Sequence, residues 1–214
     1  MFGIMAGAWI NLDDTAAEHK IVARWGTGLT EQYLLTCNTG GPGYTPVWNI
    51  LDSGGTGHSV RGTTVLGTGV WYHIAGMYDG ATMFIWNNGV LEASATINVA
   101  LNAAGAGTHT FIGKAADGNP FAGSIADVTL TLINTGITPS LSYQRVVAAI
   151  GANRASPSDC EGMYDTLHIG YWPLLGDSPE PSYANNATFQ PGTLTGTTVV
   201  NHPPSRTLTT FRGG

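Results

Sequence analysis

A chain of 214 residues is long enough for one sizeable domain with its own core. Charged residues make up only 10% of it and Gly fills 30 positions, a balance that suits a turn-rich all-β protein and speaks against a helical one. The net charge of -6, with eight scattered Lys and Arg, leaves no electrostatic footprint for DNA, RNA or an anionic membrane.

The N-terminal run MFGIMAGAWINLDD has no basic region ahead of it, and its apolar stretch stops at Asn11, so it does not read as a signal peptide. No run reaches the roughly 18 apolar residues of a membrane span. The expectation is synthesis in a cytoplasm without export and without membrane insertion. Cys37 and Cys160 lie far apart and match no zinc or redox spacing, so they read as buried free thiols.

Two-residue periodicity dominates the chain from its start. Phe2 to Leu12 alternates, with Ile4, Ala6, Ala8 and Ile10 on one face. Residues 19–25 and 32–37 are two more short strands. A Gly/Pro-rich loop, TGGPGYTP, precedes a strand at 47–52, and HSVRGTTV begins another. In WYHIAGMYDGATMFIWNNG, alternation over 71–78 puts Trp71, His73, Ala75 and Met77 on one face. Asp79-Gly80 and Asn88-Gly89 are strong hairpin signals, because Gly takes positive φ freely and Asp bonds nearby backbone N–H groups. They bracket a return strand at 82–87 and lead to a third strand at 90–97. Further strands are expected at 108–115 and 123–133.

One segment departs from the pattern. TPSLSYQRVVAAIG sets Tyr143, Val146, Val147 and Ile150 on one helical face, with Thr138 as N-cap and Gly151 as stop. A short surface helix is expected there. The stretch LHIGYWPLL is a late strand candidate, followed by a Pro/Asn/Gly-rich tail. The domain reading is a sandwich over 1–200 and a tail over 201–214 that a partner orders.

The segment with Trp71, His73, Ile74 and Ala75, then Tyr78, Asp79 and Gly80, then Trp86, Asn88 and Gly89 resembles the laminin-G-like, concanavalin A-like lectin/glucanase superfamily. Phe121, Gly123, Ile125, Asp127 and Val128 match a second stretch of the same family. The resemblance implies an all-β fold: two antiparallel sheets stacked in jelly-roll order, with one short helix and an extended C-terminal tail. The ending YWPLLGDSPEP…GTLTGTTVVNHPP resembles, more loosely, laminin-G-like proteins found among phage structural genes. In the family a strand usually precedes the one carrying AGAWINLDD. Here that strand starts the chain, so an open edge near residues 2–12 is expected, or a gap filled by the tail or a neighbouring subunit.

Catalysis finds little support in the residues. Glucanases of this superfamily use Glu-x-Asp-x-(x)-Glu to place two carboxylates in a cleft. None of Glu18, Glu31, Glu92, Glu161 or Glu180 has Asp two residues later. His73 is a single strand histidine among apolar residues and reads as a buried or half-buried packing residue. If the chain holds calcium, as many members of the superfamily do, Asp79 and Asp117 are the candidate ligands, against their plain reading as turn formers. If it binds a glycan, the Gly/Pro loop at 39–46 is the candidate ligand loop, with Tyr44 and Trp48 as candidate stacking aromatics, against their plain reading as core. The resulting expectation is a non-catalytic structural or display module on a bacteriophage virion surface, as a capsid decoration or fibre-associated protein with glycan-adhesion ability. Its partners would be further copies or other virion proteins, docked through the open edge and the tail. The alternative is a soluble lectin-like carbohydrate-binding module, and a glycoside hydrolase is a weaker third.

Overall fold

Alternation becomes eleven strands in the computed structural model, which describes residues 2–25, 31–103, 109–116, 120–134, 147, 168–172 and 174. In chain order they are β1 (Phe2–Leu12), β2 (His19–Arg24), β3 (Tyr33–Gly40), β4 (Gly43–Leu51), β5 (Gly57–Arg61), β6 (Trp71–Tyr78), β7 (Thr82–Asn87), β8 (Val90–Thr96), β9 (Phe111–Ile112), β10 (Gly123–Asn134) and β11 (His168–Trp172). Six of them form one antiparallel sheet in the order β11-β10-β1-β6-β7-β8, and five form the other in the order β5-β4-β3-β2-β9. This is the expected all-β sandwich.

The core follows from period two. Ile4, Ala6, Ala8, Ile10 and Leu12 of β1 point between the sheets, where they meet Ile21, Leu35, Trp48 and Ile50 from the five-stranded sheet. The closest approach is at Gly76 of β6. A Cβ there would lie 2.4 Å from Cδ2 of Trp48, so only glycine lets the indole reach the opposing backbone. The outer face of the six-stranded sheet carries a second apolar cluster of Met5, Ala75, Met77, Trp86 and Ile133. Val147, in helical conformation, is buried against it. The rest of the helix expected over 138–151 lies outside the described residues, as do Cys160 and the 201–214 tail. Cys37 is buried and unbridged, and burial raises its thiol pKa far above the ordinary value.

Both turns of the β6–β7–β8 meander form as expected. Asp79 Oδ1 accepts the N–H groups of Ala81 at 2.8 Å and Thr82 at 2.7 Å, with Gly80 at φ 96°. Asn88 and Gly89 both take positive φ, 49° and 78°, the pairing that suits strand twist in a two-residue hairpin. Other boundaries move for visible reasons. β4 starts at Gly43, inside the expected loop, because Pro46 loses a donor yet its carbonyl still accepts Gly62 N–H at 2.8 Å. β5 stops at Arg61, because the N–H groups of Thr63 and Thr64 bond the Glu92 carboxylate instead. The strand expected at 108–115 shrinks to Phe111–Ile112, since Gly113 turns away at φ 74°.

The open edge expected at residues 2–12 is not there. β1 is an interior strand, paired along its length with β10 on one side and with β6 on the other. The sequence of β1 says nothing about its neighbours. β10 flanks it and is itself covered by β11, which comes from the C-terminal third of the chain. Among the described residues the edges of the two sheets are β11 and β8, and β5 and β9. Docking through residues 2–12 therefore has no free backbone to use.

Candidate functional site

Tyr44 and Trp48 belong to β4, and the alternation of that strand turns both inward. Trp48 is 0% exposed, stacks on Tyr33 with ring centroids 6.1 Å apart and presses against Gly76. Tyr44 is 5% exposed and donates its hydroxyl to Ala17 O at 2.9 Å; burial raises its pKa. Neither offers a ring face to a sugar. The two aromatics expected as a sugar platform are core residues on the inner face of that hairpin.

The outward residues of the same hairpin carry the polar chemistry. Thr45 of β4 lies beside Asn38 of β3 and Arg61 of β5. Arg61 Nη1 donates to Asn38 O at 3.1 Å and to Thr45 Oγ1 at 2.8 Å, and Nη2 donates to Asn38 Oδ1 at 2.6 Å. A Cβ on Gly40 would stand 2.9 Å from Cζ of Arg61, so the glycine turn lies flat against the guanidinium. Asn38 turns its other amide group the opposite way: Nδ2 donates to Glu18 Oε1 at 3.4 Å. Thr36 Oγ1 donates to His19 O at 2.9 Å and lies 3.3 Å from that oxygen, and Lys20 Nζ lies 3.9 Å from Glu18 Oε2.

The result is one polar run on the outer face of the five-stranded sheet, hydrogen-bonded from Glu18 in the loop before β2 through Asn38 and Arg61 to Thr45, with Lys20 joined to Glu18 as an ion pair. Lys20, Thr36 and Thr45 are buried, while Glu18, Asn38 and Arg61 are partly exposed. Such a run offers carboxylate, amide and guanidinium groups held in fixed positions. Sequence reading missed it. The available signal was Arg61, a lone cation in a short strand, and the polar residues one step out of phase with Tyr44 and Trp48.

Of the two calcium candidates only Asp79 lies among the described residues, Asp117 lying outside them. Asp79 Oδ1 is occupied by the two amides of its own turn. Among the described residues no three His, Cys, Asp or Glu side chains gather as metal ligands. A single turn-capping carboxylate does not fit the 6 to 8 oxygens that calcium takes. Asp52 and His58 form a separate pair, with Nε2 to Oδ2 at 2.8 Å. That hydrogen bond, followed by the Thr56 N–H, holds the Asp52 carboxyl below its ordinary pKa, and the group closes the 52–57 turn. His73, expected as a packing residue, is 2% exposed beside Trp9, with ring centroids 5.4 Å apart.

A family model described as the concanavalin A-like lectin/glucanases superfamily matches residues 6–132. Among solved structures, the enzymatically active domain of bacteriophage CBA120 tailspike protein 2 superposes with a TM-score of 0.56 at 21% identity, covering 80% of this chain and 26% of that one. A heptameric SAP-like pentraxin from Limulus polyphemus superposes with a TM-score of 0.52 at 14% identity, covering 72% of each chain. A candidate carbohydrate binding protein from Bacteroides ovatus gives a TM-score of 0.49 at 22% identity, over 61% of this chain and 38% of its own length. The chain thus spans well under half of two of these three structures. No curated protein matches the sequence.

Proposed function

The chain belongs to the concanavalin A-like lectin/glucanases superfamily, and from that premise we propose that it is a non-catalytic carbohydrate-binding module. The glycan lies on the outer face of the five-stranded sheet, over Glu18, Asn38 and Arg61. The observation that carries this reading is the hydrogen-bonded run itself. Asn38 is held from both sides, by Arg61 on its Oδ1 and by Glu18 on its Nδ2. Groups fixed before binding lose little entropy when a polyhydroxylated ligand arrives. Carboxylate and guanidinium bonds to hydroxyls are also the stronger, charge-assisted kind.

A glycan array with the full chain, followed by titration of the best binder, tests the reading. Asn38→Leu removes the central amide and is expected to weaken binding at least tenfold while the thermal transition stays cooperative. Unchanged affinity in a folded Asn38→Leu protein would remove this face from consideration.

The finer reading puts the module on a bacteriophage virion surface, with its 201–214 tail engaging other virion proteins or further copies. It is favoured by the likeness of the YWPLLGDSPEP…GTLTGTTVVNHPP region to phage laminin-G-like proteins. Quantitative mass spectrometry of purified virions is expected to find the protein in fixed copy number. Its absence from the particles would leave the lectin-like module alone.

A further inference from the structure

We infer that the ligand of this face is an acidic glycan, whose sugar carboxylate is taken by the open edge of the Arg61 guanidinium. The inference rests on the reading of that face as the glycan site and names its ligand class. A guanidinium has two forks that match a carboxylate, one between the terminal nitrogens and one between Nε and Nη2. In Arg61 the terminal fork is used internally, since Nη1 and Nη2 grip the carbonyl and side-chain oxygens of Asn38. The other N–H of Nη1 goes to Thr45 Oγ1. That leaves Nε–H and one N–H of Nη2 on the remaining edge. Neither has a partner among the described residues, and Nε is not among the buried unpartnered nitrogens.

The charge is also unanswered. No carboxylate forms an ion pair with Arg61 among the described residues. Glu18, the carboxylate on this face, stands on the far side of Asn38, where it accepts from Asn38 Nδ2, lies 3.3 Å from Thr36 Oγ1 and lies 3.9 Å from Lys20 Nζ. Glu92, beside Gly62, accepts from the N–H groups of Thr63 and Thr64 and from the Thr64 hydroxyl. Three internal bonds and the Gly40 turn fix the guanidinium plane, so its open fork is presented without further ordering. A neutral sugar would satisfy the fork's hydrogen bonds and leave its charge unmatched. A carboxylate satisfies both. The chain as a whole carries -6, so the preference for an anion is local to this fork.

Isothermal titration of the full-length protein with trigalacturonate and with sialyllactose, each beside its own methyl ester, tests this without altering the protein. At least one acid is expected to bind at least tenfold more tightly than its ester. Arg61→Gln, checked for an unchanged fold by circular dichroism, removes the charge and is expected to erase most of that difference, so that acid and ester bind alike. Equal binding of acid and ester for both sugars would overturn the inference and leave the glycan-binding reading standing. Failure of every acidic and neutral glycan to bind would overturn both.

Discussion

Replacing Trp48 by alanine is expected to cost about 3–5 kcal/mol of stability. For a domain of this size that lowers the thermal midpoint by roughly 10 °C. The indole is fully buried between the sheets, stacked on Tyr33 and seated on Gly76, so its removal opens a cavity that the sheets cannot close. Gly76 tests the same contact from the other side. An added Cβ would sit 2.4, 2.5 and 2.6 Å from Cδ2, Cε3 and Cγ of Trp48. Gly76→Ala alone therefore forces the sheets apart, at about 1–3 kcal/mol. In the Trp48→Ala background the new methyl group enters the vacated space, and Gly76→Ala should then cost well under 1 kcal/mol. Urea melts of the two single variants and the double variant give the coupling directly. Strictly additive costs would mean that the indole does not rest on Gly76. Any loss of glycan binding in Trp48→Ala should track loss of fold, because the ring lies on the inner face and Arg61 and Asn38 on the outer.

What was legible in the sequence was local. Asp79-Gly80 and Asn88-Gly89 declare their turns within four residues, and the strands they join run from Trp71 to Tyr78 and from Thr82 to Asn87, as the alternation says. The inward row of β1 was legible for the same reason. Pairing was not. β1 looked like an exposed first strand because nothing within it records that Gly123–Asn134 lies along one side and Trp71–Tyr78 along the other. The reading of Trp48 failed similarly. An aromatic beside a Gly/Pro loop suits a ligand platform, and the residue that decides otherwise, Gly76, lies on a different sheet. The candidate site is the hardest case. Glu18, Asn38 and Arg61 come from separate segments and meet only when β2 to β5 align, so no spacing in the chain announces them. The outward direction of Asn38 and Arg61 follows from the phase of β3 and β5, whose neighbours Cys37 and Val60 face the core.

Acidification from pH 7 to pH 5 is expected to destabilise the protein through His73, and His73→Leu is expected to abolish that part of the loss. The imidazole is 2% exposed on β6, packed beside Trp9, and its Nδ1 has no hydrogen-bond partner among the described residues. Burial alone pushes its pKa from 6.5 down to about 3. The folded state therefore holds His73 neutral where the unfolded chain takes up a proton. Stability from this group is complete above pH 6.5 and falls as the pH drops from there toward 3. The slope in that window approaches one proton, about 1.4 kcal/mol per pH unit. Between pH 6.5 and 5 the loss amounts to about 2 kcal/mol. Asp52 adds to acid lability in the same direction, since its carboxyl is held low by His58 and the Thr56 N–H. That contribution begins in the carboxylate range and is common to both proteins, so it cancels in the comparison. Thermal midpoints of wild type and His73→Leu, measured between pH 7.5 and 4.5, should converge or cross as the pH falls. Leucine keeps an apolar side chain beside Trp9 and removes the unpartnered nitrogen, so the variant should hold its midpoint where the wild type loses roughly 5 °C. Parallel curves would show that His73 takes up its proton without opening the sheet face, and that the burial of the imidazole carries no acid penalty.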